Sequence, residues 1–334
     1  MKVLVVSGFL GAGKTTFIRE LVKHIDKSVV ILENEYGEID LDGGVLKGQT
    51  ASEVLDLSDG CACCSQKDRF VNTVLAVSAG QDPDYLIVEP TGIGRLGSIL
   101  ESLKRIRYER IRLLAPVVVL SPRGMDAYLR SYPEIYRDQI AHAGQILLSK
   151  TEREDRVFLK ETIQTLRGIN AHAPVTDVPY TEKDEAFWQS ILTTPLDAEQ
   201  PAEKAPSVQL PAASTLRQVT VRDGTLQSAG ELIRLLEDVV RGRFGEIARA
   251  KGMLKVRSEW LRFDCADGLY AVTDFVGENP VSQCVFIGQR VCEDRILDTL
   301  HVRKTAYARA MDRLRGRGQL RAAISRREGE NFGI

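Results

Sequence analysis

The opening sixteen residues constrain the fold more than any other stretch. Met1–Val6 (MKVLVV) is a short apolar run rich in β-branched residues. It leads directly into Gly8-Phe9-Leu10-Gly11-Ala12-Gly13-Lys14-Thr15. That is G-x-x-x-x-G-K-T, with Thr16 next and then Phe17, Ile18, Leu21, Val22 and Ile25 at helical spacing. Strand, glycine-rich loop and helix in this order form a cradle for phosphate. The glycines let backbone N–H groups turn inward, and the helix N-terminus adds partial positive charge. Gly8, Gly11, Ala12, Gly13, Lys14, Thr15 and Thr16 are therefore the expected phosphate-binding residues. Lys14 is placed to reach β- and γ-phosphates, and the Thr15 hydroxyl to reach Mg²⁺. The fold expected is an α/β P-loop nucleoside-triphosphatase domain with a mostly parallel sheet.

A chain of 334 residues has room for more than one domain. Its net charge of −1 gives the molecule as a whole no basic footprint for a nucleic acid or a membrane surface. No apolar stretch reaches the roughly 18 residues of a membrane span. The chain opens on a core strand with no leader, which predicts a cytoplasmic protein. In that compartment six cysteines point to metal or catalysis before disulfides.

Ser28–Leu32 (SVVIL) reads as a second buried strand. It runs into Glu33-Asn34-Glu35-Tyr36-Gly37-Glu38-Ile39-Asp40, where a nucleotide-sensing loop belongs. Glu35, Glu38 and Asp40 could help hold Mg²⁺ or a second metal; the plain alternative is a solvated acidic turn. After a weak strand candidate at Glu53–Leu57 comes Cys61-Ala62-Cys63-Cys64. In extended backbone Cys61 and Cys63 would point the same way, about 6.6 Å apart, with Cys64 on the other face. A turn after Gly60 could gather all three around one ion. Thiolates suit Zn²⁺ or another late transition metal, and three ligands leave a fourth position open. Packing cysteines or a redox pair remain the alternatives.

Lys67–Ala79 reads as a helix, and Tyr85–Val88 as a third buried strand ending at Glu89-Pro90-Thr91-Gly92. A carboxylate there, with glycine three residues on, suits Mg²⁺ and the γ-phosphate: Glu89 as the acidic ligand, the Gly92 N–H as sensor. Leu113–Leu120 reads as one further strand, with Pro116 suggesting a bulge or an edge. Asp126–Ala141 is helical in pattern, and Gln145–Leu148 a strand running into Ser149-Lys150-Thr151-Glu152. At this place a GTPase carries N-K-x-D, whose Lys stem covers the base and whose carboxylate accepts from guanine. Lys150 and Glu152 are the candidates, Ser149 standing for Asn and Glu152 for Asp. Glu154–Leu166 then supplies a helix, and Val175–Val178 a short strand.

The proline-rich stretch around 193–213 has linker composition. Beyond it, a strand at Leu216–Val221 and an amphipathic helix at Ala229–Arg241 come first. Strands at Met253–Val256, Glu259–Asp264, Gly268–Thr273 and Val285–Ile287 follow, completing a smaller α+β domain. The expected division is 1–192, linker 193–213, second domain 214–302, and a basic helix and tail at 303–334. Cys265, Cys284 and Cys292 are scattered singly and read as packing residues; the four histidines show no ligand spacing.

Together GFLGAGKTT, ENEYGEIDLDG, CACC, EPTG and QILLSKTE resemble the CobW-like GTPases, relatives of the GTPases that insert nickel into urease and hydrogenase. RGRFGEIARAKGMLKV and the Val-Phe-Ile-Gly segment resemble that family's C-terminal domain. The resemblance spans most of residues 1–300. It implies GTP binding and hydrolysis with Mg²⁺, a transition metal at C-x-C-C, and work in metal delivery or cofactor assembly. It places the family's roles on Lys14 and Thr15 for phosphates and Mg²⁺, Cys61, Cys63 and Cys64 for metal, Glu89 for Mg²⁺, and Lys150 with Glu152 for the base. SKTE departs from N-K-x-D, and the His-rich loop of many relatives is absent.

The reading is thus a GTPase metallochaperone. Its partners would be GTP or GDP, a metal ion (Zn²⁺ first, Co²⁺ or Ni²⁺ also fitting), a client metalloprotein or assembly enzyme, and a second copy of the chain in a homodimer. No side chain stands out for orienting the attacking water, which predicts slow intrinsic turnover. The rivals are a nucleotide-gated regulatory or assembly protein without metal cargo, and an ATP-using P-loop enzyme.

Overall fold

The computed structural model describes residues 1–33, 53–56, 66–106, 110–196, 216–275 and 280–302, with backbone alone at 53–56 and 66–69. Two sheets organise them. The first has eight described strands, all parallel: β1 (Lys2–Ser7), β2 (Val29–Glu33), β3 (Glu53–Asp56), β4 (Tyr85–Glu89), β5 (Arg112–Leu113), β6 (Val117–Leu120), β7 (Gln145–Leu148) and β8 (Val175–Thr176). Their order is β3-β2-β4-β1-β6-β7-β8, with β5 also on β1. Helices α1 (Lys14–Val22), α2 (Gln66–Gly80), α3 (Leu96–Lys104), α4 (Met125–Ser131), α5 (Pro133–Ala141), α6 (Arg156–Arg167) and α7 (Glu185–Thr193) complete this unit. The strands are buried along nearly their whole length, as parallel strands covered on both faces must be. Alternate residues feed two cores: Val3 and Val5 one, Leu4 and Val6 the other.

Two expectations change at prolines. The single strand expected over Leu113–Leu120 is two short strands, β5 and β6, each pairing with β1, and β6 lies inside the sheet. Pro116 has no N–H to give a ladder, while its carbonyl accepts from Gly144 and Gln145 N–H at 2.9 and 3.0 Å. The helix expected over Asp126–Ala141 is α4 followed by α5, broken at Tyr132 because Pro133 takes the first turn of α5. Helix α3, and helix α7 with Trp188 carried into the core against Phe17, have no counterpart among the sequence expectations.

The second sheet is mostly antiparallel: β9 (Arg217–Arg222), β10 (Thr225–Leu226), β11 (Glu246–Val256), β12 (Glu259–Ala266), β13 (Leu269–Asp274) and β14 (Gln283–Gln289), in the order β13-β12-β11-β14-β9, with β10 parallel to β11. Helices α8 (Ala229–Val240) and α9 (Glu293–Thr299) belong to it. β11 begins seven residues earlier than the apolar run Met253–Val256 suggests, since pairing with β12 and β14 extends it through Arg249 and Lys251. The period-2 rule divides β14: Cys284 and Phe286 join the core under α8, while Val285 and Ile287 join Phe9, Tyr128, Tyr132 and Tyr136 in the first domain's core. The two domains therefore meet through a continuous apolar layer.

Candidate functional site

At the carboxyl ends of β1 and β4 the glycine loop takes the backbone path its sequence demands. Gly8, Gly11 and Gly13 have φ of +146°, +74° and +93°, values that L side chains rarely adopt. A Cβ at Gly8 would lie 2.1 Å from the Val119 carbonyl oxygen, so β6 leaves no room for any other residue there. Gly13 caps α1 with no side-chain hydrogen bond, and Lys14 starts the helix, buried.

Three side chains converge here. The Thr15 hydroxyl donates to the Glu89 carboxylate, 3.1 Å from each oxygen. Lys14 Nζ is 4.0 Å from Glu89 Oε1 and donates to the Phe9 carbonyl at 3.4 Å. A hydroxyl and a carboxylate facing each other beside a phosphate cradle are hard oxygen donors, the kind Mg²⁺ takes; the residues present fit that ion. The loop after Glu89 presses on the cradle, for a Cβ at Gly92 would lie 2.7 Å from the Leu10 nitrogen. Gln139, fully buried on α5, holds that loop by donating to the Gly92 and Gly94 carbonyls at 3.2 and 3.0 Å. Asp138 accepts from the Gly97 N–H at 3.1 Å. Gln139 escapes sequence reading: following Arg137 and Asp138 in a helix of mixed composition, one more polar residue gives no signal without its partners.

The opposite end of the site follows β7. The Ser149 hydroxyl donates to the Ala12 carbonyl at 2.6 Å, tying this loop to the glycine loop. Lys150 has φ +56°, and Thr151 is buried while Glu152 is exposed. Lys150 Nζ is 2.9 Å from Asp267 Oδ2, in the turn between β12 and β13. That carboxylate is 1% exposed and accepts on Oδ1 from the Tyr128 hydroxyl at 2.7 Å. Burial and the Asp267 charge together push the Tyr128 hydroxyl well above the usual tyrosine range. The same turn touches the glycine loop, where a Cβ on Gly11 would lie 2.4 Å from Ala266 Cβ. Asp267-Gly268 reads in sequence as a hairpin turn; its destination, 117 residues from Lys150, does not.

Of the expected site residues, the structure brings Gly8, Gly11, Ala12, Gly13, Lys14, Thr15, Glu89, Gly92 and Lys150 around one loop system, with Thr16 exposed at the start of α1. Cys61, Cys63, Cys64, Glu35, Glu38 and Asp40 lie outside the described residues, as does the basic stretch from Arg303. Among the described residues, no group of three His, Cys, Asp or Glu side chains could hold a metal ion. Cys265 and Cys284 are buried, as packing residues are, and burial pushes both thiols up, Cys265 to about 11; Cys292 is only half-buried. No described helix is long and apolar enough to cross a membrane.

A parallel sheet with the glycine cradle at the end of β1, a carboxylate at the end of β4 and a loop after β7 tied to that cradle is the architecture of a P-loop GTPase, here joined to a separate antiparallel-sheet domain. Residues 2–177 match the CobW/HypB/UreG nucleotide-binding domain, and residues 216–302 the cobalamin synthesis protein cobW C-terminal domain. The chain belongs to the CobW/HypB/UreG family. It is similar to the zinc chaperone YjiA of Escherichia coli (strain K12), 26% identical over 309 residues, 88% of this chain and 96% of that one. The zinc chaperone YeiR of the same strain is 36% identical over 154 residues, 44% of this chain and 46% of that one. The solved Zn(II)-bound YjiA GTPase from E. coli aligns over 91% of this chain and 99% of its own, at 22% identity and a TM-score of 0.43.

Proposed function

We propose that this GTPase is a cytoplasmic metallochaperone: it binds a transition metal, Zn²⁺ first, through Cys61, Cys63 and Cys64, and GTP governs its release to a client metalloprotein or cofactor-assembly enzyme. The observation that carries the nucleotide half is the convergence of Thr15 and Lys14 on Glu89, with Gly92 packed on Leu10. In this reading Gly8 to Thr16 hold the phosphates, Thr15 and Glu89 hold Mg²⁺, and Lys150 with Glu152 faces the base. Bound Mg²⁺ would neutralise charge developing between the β- and γ-phosphates. Lys14 binds the same oxygens, and the Gly92 N–H reports on the γ-phosphate. Loss of that contact on hydrolysis frees the Glu89–Gly92 loop, which Gln139 otherwise anchors to α5.

The metal half is supported by the C-x-C-C spacing and by relatives named zinc chaperones, not by the described residues. Glu35, in the sensing loop, is proposed as a further metal ligand. Residues 1–192 form the nucleotide unit in this reading, 193–213 the connector, 214–302 the client-facing unit and 303–334 a basic arm. The test is a Cys61→Ala/Cys63→Ala/Cys64→Ala protein. It should lose tight Zn²⁺ binding in a competitive chelator titration and still bind GTP. Unaltered Zn²⁺ affinity in that variant removes the metal half. Competition of GTP with ATP for the same site separates this reading from an ATP-using enzyme.

A further inference from the structure

We infer that Asp267, contributed by the C-terminal domain, is a positioning residue for the nucleotide base: it holds the Lys150 ammonium so that the Lys150 stem is pre-arranged to cover the ring. The inference rests on reading Lys150 as base-facing. Three observations carry it. The β12–β13 turn reaches the first domain at the nucleotide site, placing Ala266 against Gly11 of the phosphate cradle. Its carboxylate is 1% exposed, and its two oxygens have separate partners, Tyr128 on one and Lys150 on the other. The Lys150 loop is itself fixed to the cradle through Ser149 and Ala12, at 2.6 Å.

A buried carboxylate needs a cation, and Lys150 supplies one at 2.9 Å. The pair fixes the far end of a side chain that is 45% exposed and would, without it, sample many rotamers. Ordering that chain before nucleotide arrives removes a cost that binding would otherwise bear. The C-terminal domain is in this way part of the nucleotide pocket, and base affinity depends on its docking. The turn has the right shape for this, with Asp267 at φ +56° and Gly268 at φ +72° in a tight hairpin reversal that carries the carboxylate at its tip.

Calorimetric titration of the full chain with GDP, and separately with pyrophosphate, tests this. Asp267→Asn should weaken GDP about 5- to 20-fold while pyrophosphate, which reaches only the phosphate end, binds as to the unaltered chain. Lys150→Met should weaken GDP at least as much. The double variant Lys150→Met/Asp267→Asn should be no weaker than Lys150→Met alone, because Asp267 acts through Lys150. Tyr132→Phe removes a different bond across the same interface, to the Glu246 carbonyl at 3.0 Å, and should leave GDP affinity within twofold. Unchanged or tighter GDP binding in Asp267→Asn overturns the inference, as do additive losses in the double variant. An equal loss for pyrophosphate, or a matching GDP loss in Tyr132→Phe, would show general damage to the interface and overturns it too. Failure of the unaltered chain to bind GDP would instead strike the guanine reading of the pocket.

Discussion

At the phosphate end of the nucleotide site, Gly8 to Thr15 are contiguous and Glu89 stands on the strand paired with β1. At the proposed base end, Lys150 is met by Asp267, 117 residues further on and in another domain. The first end is closed by local backbone: three glycines at positive φ, one helix start, one hydroxyl on one carboxylate. The second is closed by tertiary docking, an apolar layer of Val285, Ile287, Phe9 and Tyr128 with the buried Asp267 carboxylate and its half-exposed Lys150 partner at its rim. On the proposed reading, chemistry on phosphate is built into the first domain, whereas affinity for the base would be open to whatever moves the second.

Breaking the phosphate end should cost most. Lys14→Ala removes the buried cation beside Glu89 and should lower kcat/KM for GTP by on the order of 10²–10³, measured by phosphate release. A residual rate within tenfold of the unaltered protein would move the phosphate contact elsewhere. Gly8→Ala should destabilise the first domain by on the order of 3 kcal/mol in urea unfolding, since its φ is +146° and its Cβ would meet the Val119 oxygen at 2.1 Å. A stability loss under about 1 kcal/mol would mean that β6 can retreat from the loop.

The base end should give smaller effects that depend on the partner domain. Tyr128→Phe takes one hydrogen bond from the buried Asp267 carboxylate and should cost about 1–2 kcal/mol. Its pH dependence follows from the raised Tyr128 hydroxyl. The folded chain holds that proton more tightly than the unfolded one, whose value is about 10. The contribution is therefore complete below about pH 10 and falls as pH climbs above it. Tyr132, pushed up to about 12 by burial, acts in the same direction in both proteins. Urea midpoints at pH 8 and pH 10.5 should accordingly fall further in the unaltered chain than in Tyr128→Phe; parallel falls would put the alkaline sensitivity elsewhere. Ser149→Ala, losing its bond to the Ala12 carbonyl, should weaken GDP about fivefold, roughly 1 kcal/mol. No change would mean that this bond does not set GDP affinity.

The same contrast explains what can be read from sequence. Gly8-x-x-x-x-Gly13-Lys14-Thr15 and Glu89 announce themselves because phosphate chemistry demands fixed residue types at fixed spacing, and the parallel sheet follows from the buried runs flanking them. Pro116 and Pro133 are visible too, but whether each bends an element or splits it depends on the packing around it. Gln139 and Asp267 cannot be found this way. A buried amide on α5 and an Asp-Gly hairpin turn look alike in any sequence until the fold brings Gly92 to the one and Lys150 to the other. Trp188 is hidden for a related reason: α7 is short, and only docking on Phe17 shows that it is core.

One measurement tests the proposed function most directly: Zn²⁺ affinity of the same protein with a non-hydrolysable GTP analogue, with GDP and without nucleotide. The Zn²⁺ dissociation constant should differ at least tenfold between the GTP-analogue and GDP forms, about 1.4 kcal/mol of coupling. Lys14→Ala should abolish the difference. Equal Zn²⁺ affinity in all three states would contradict it, leaving a nucleotide switch whose thiols carry no cargo.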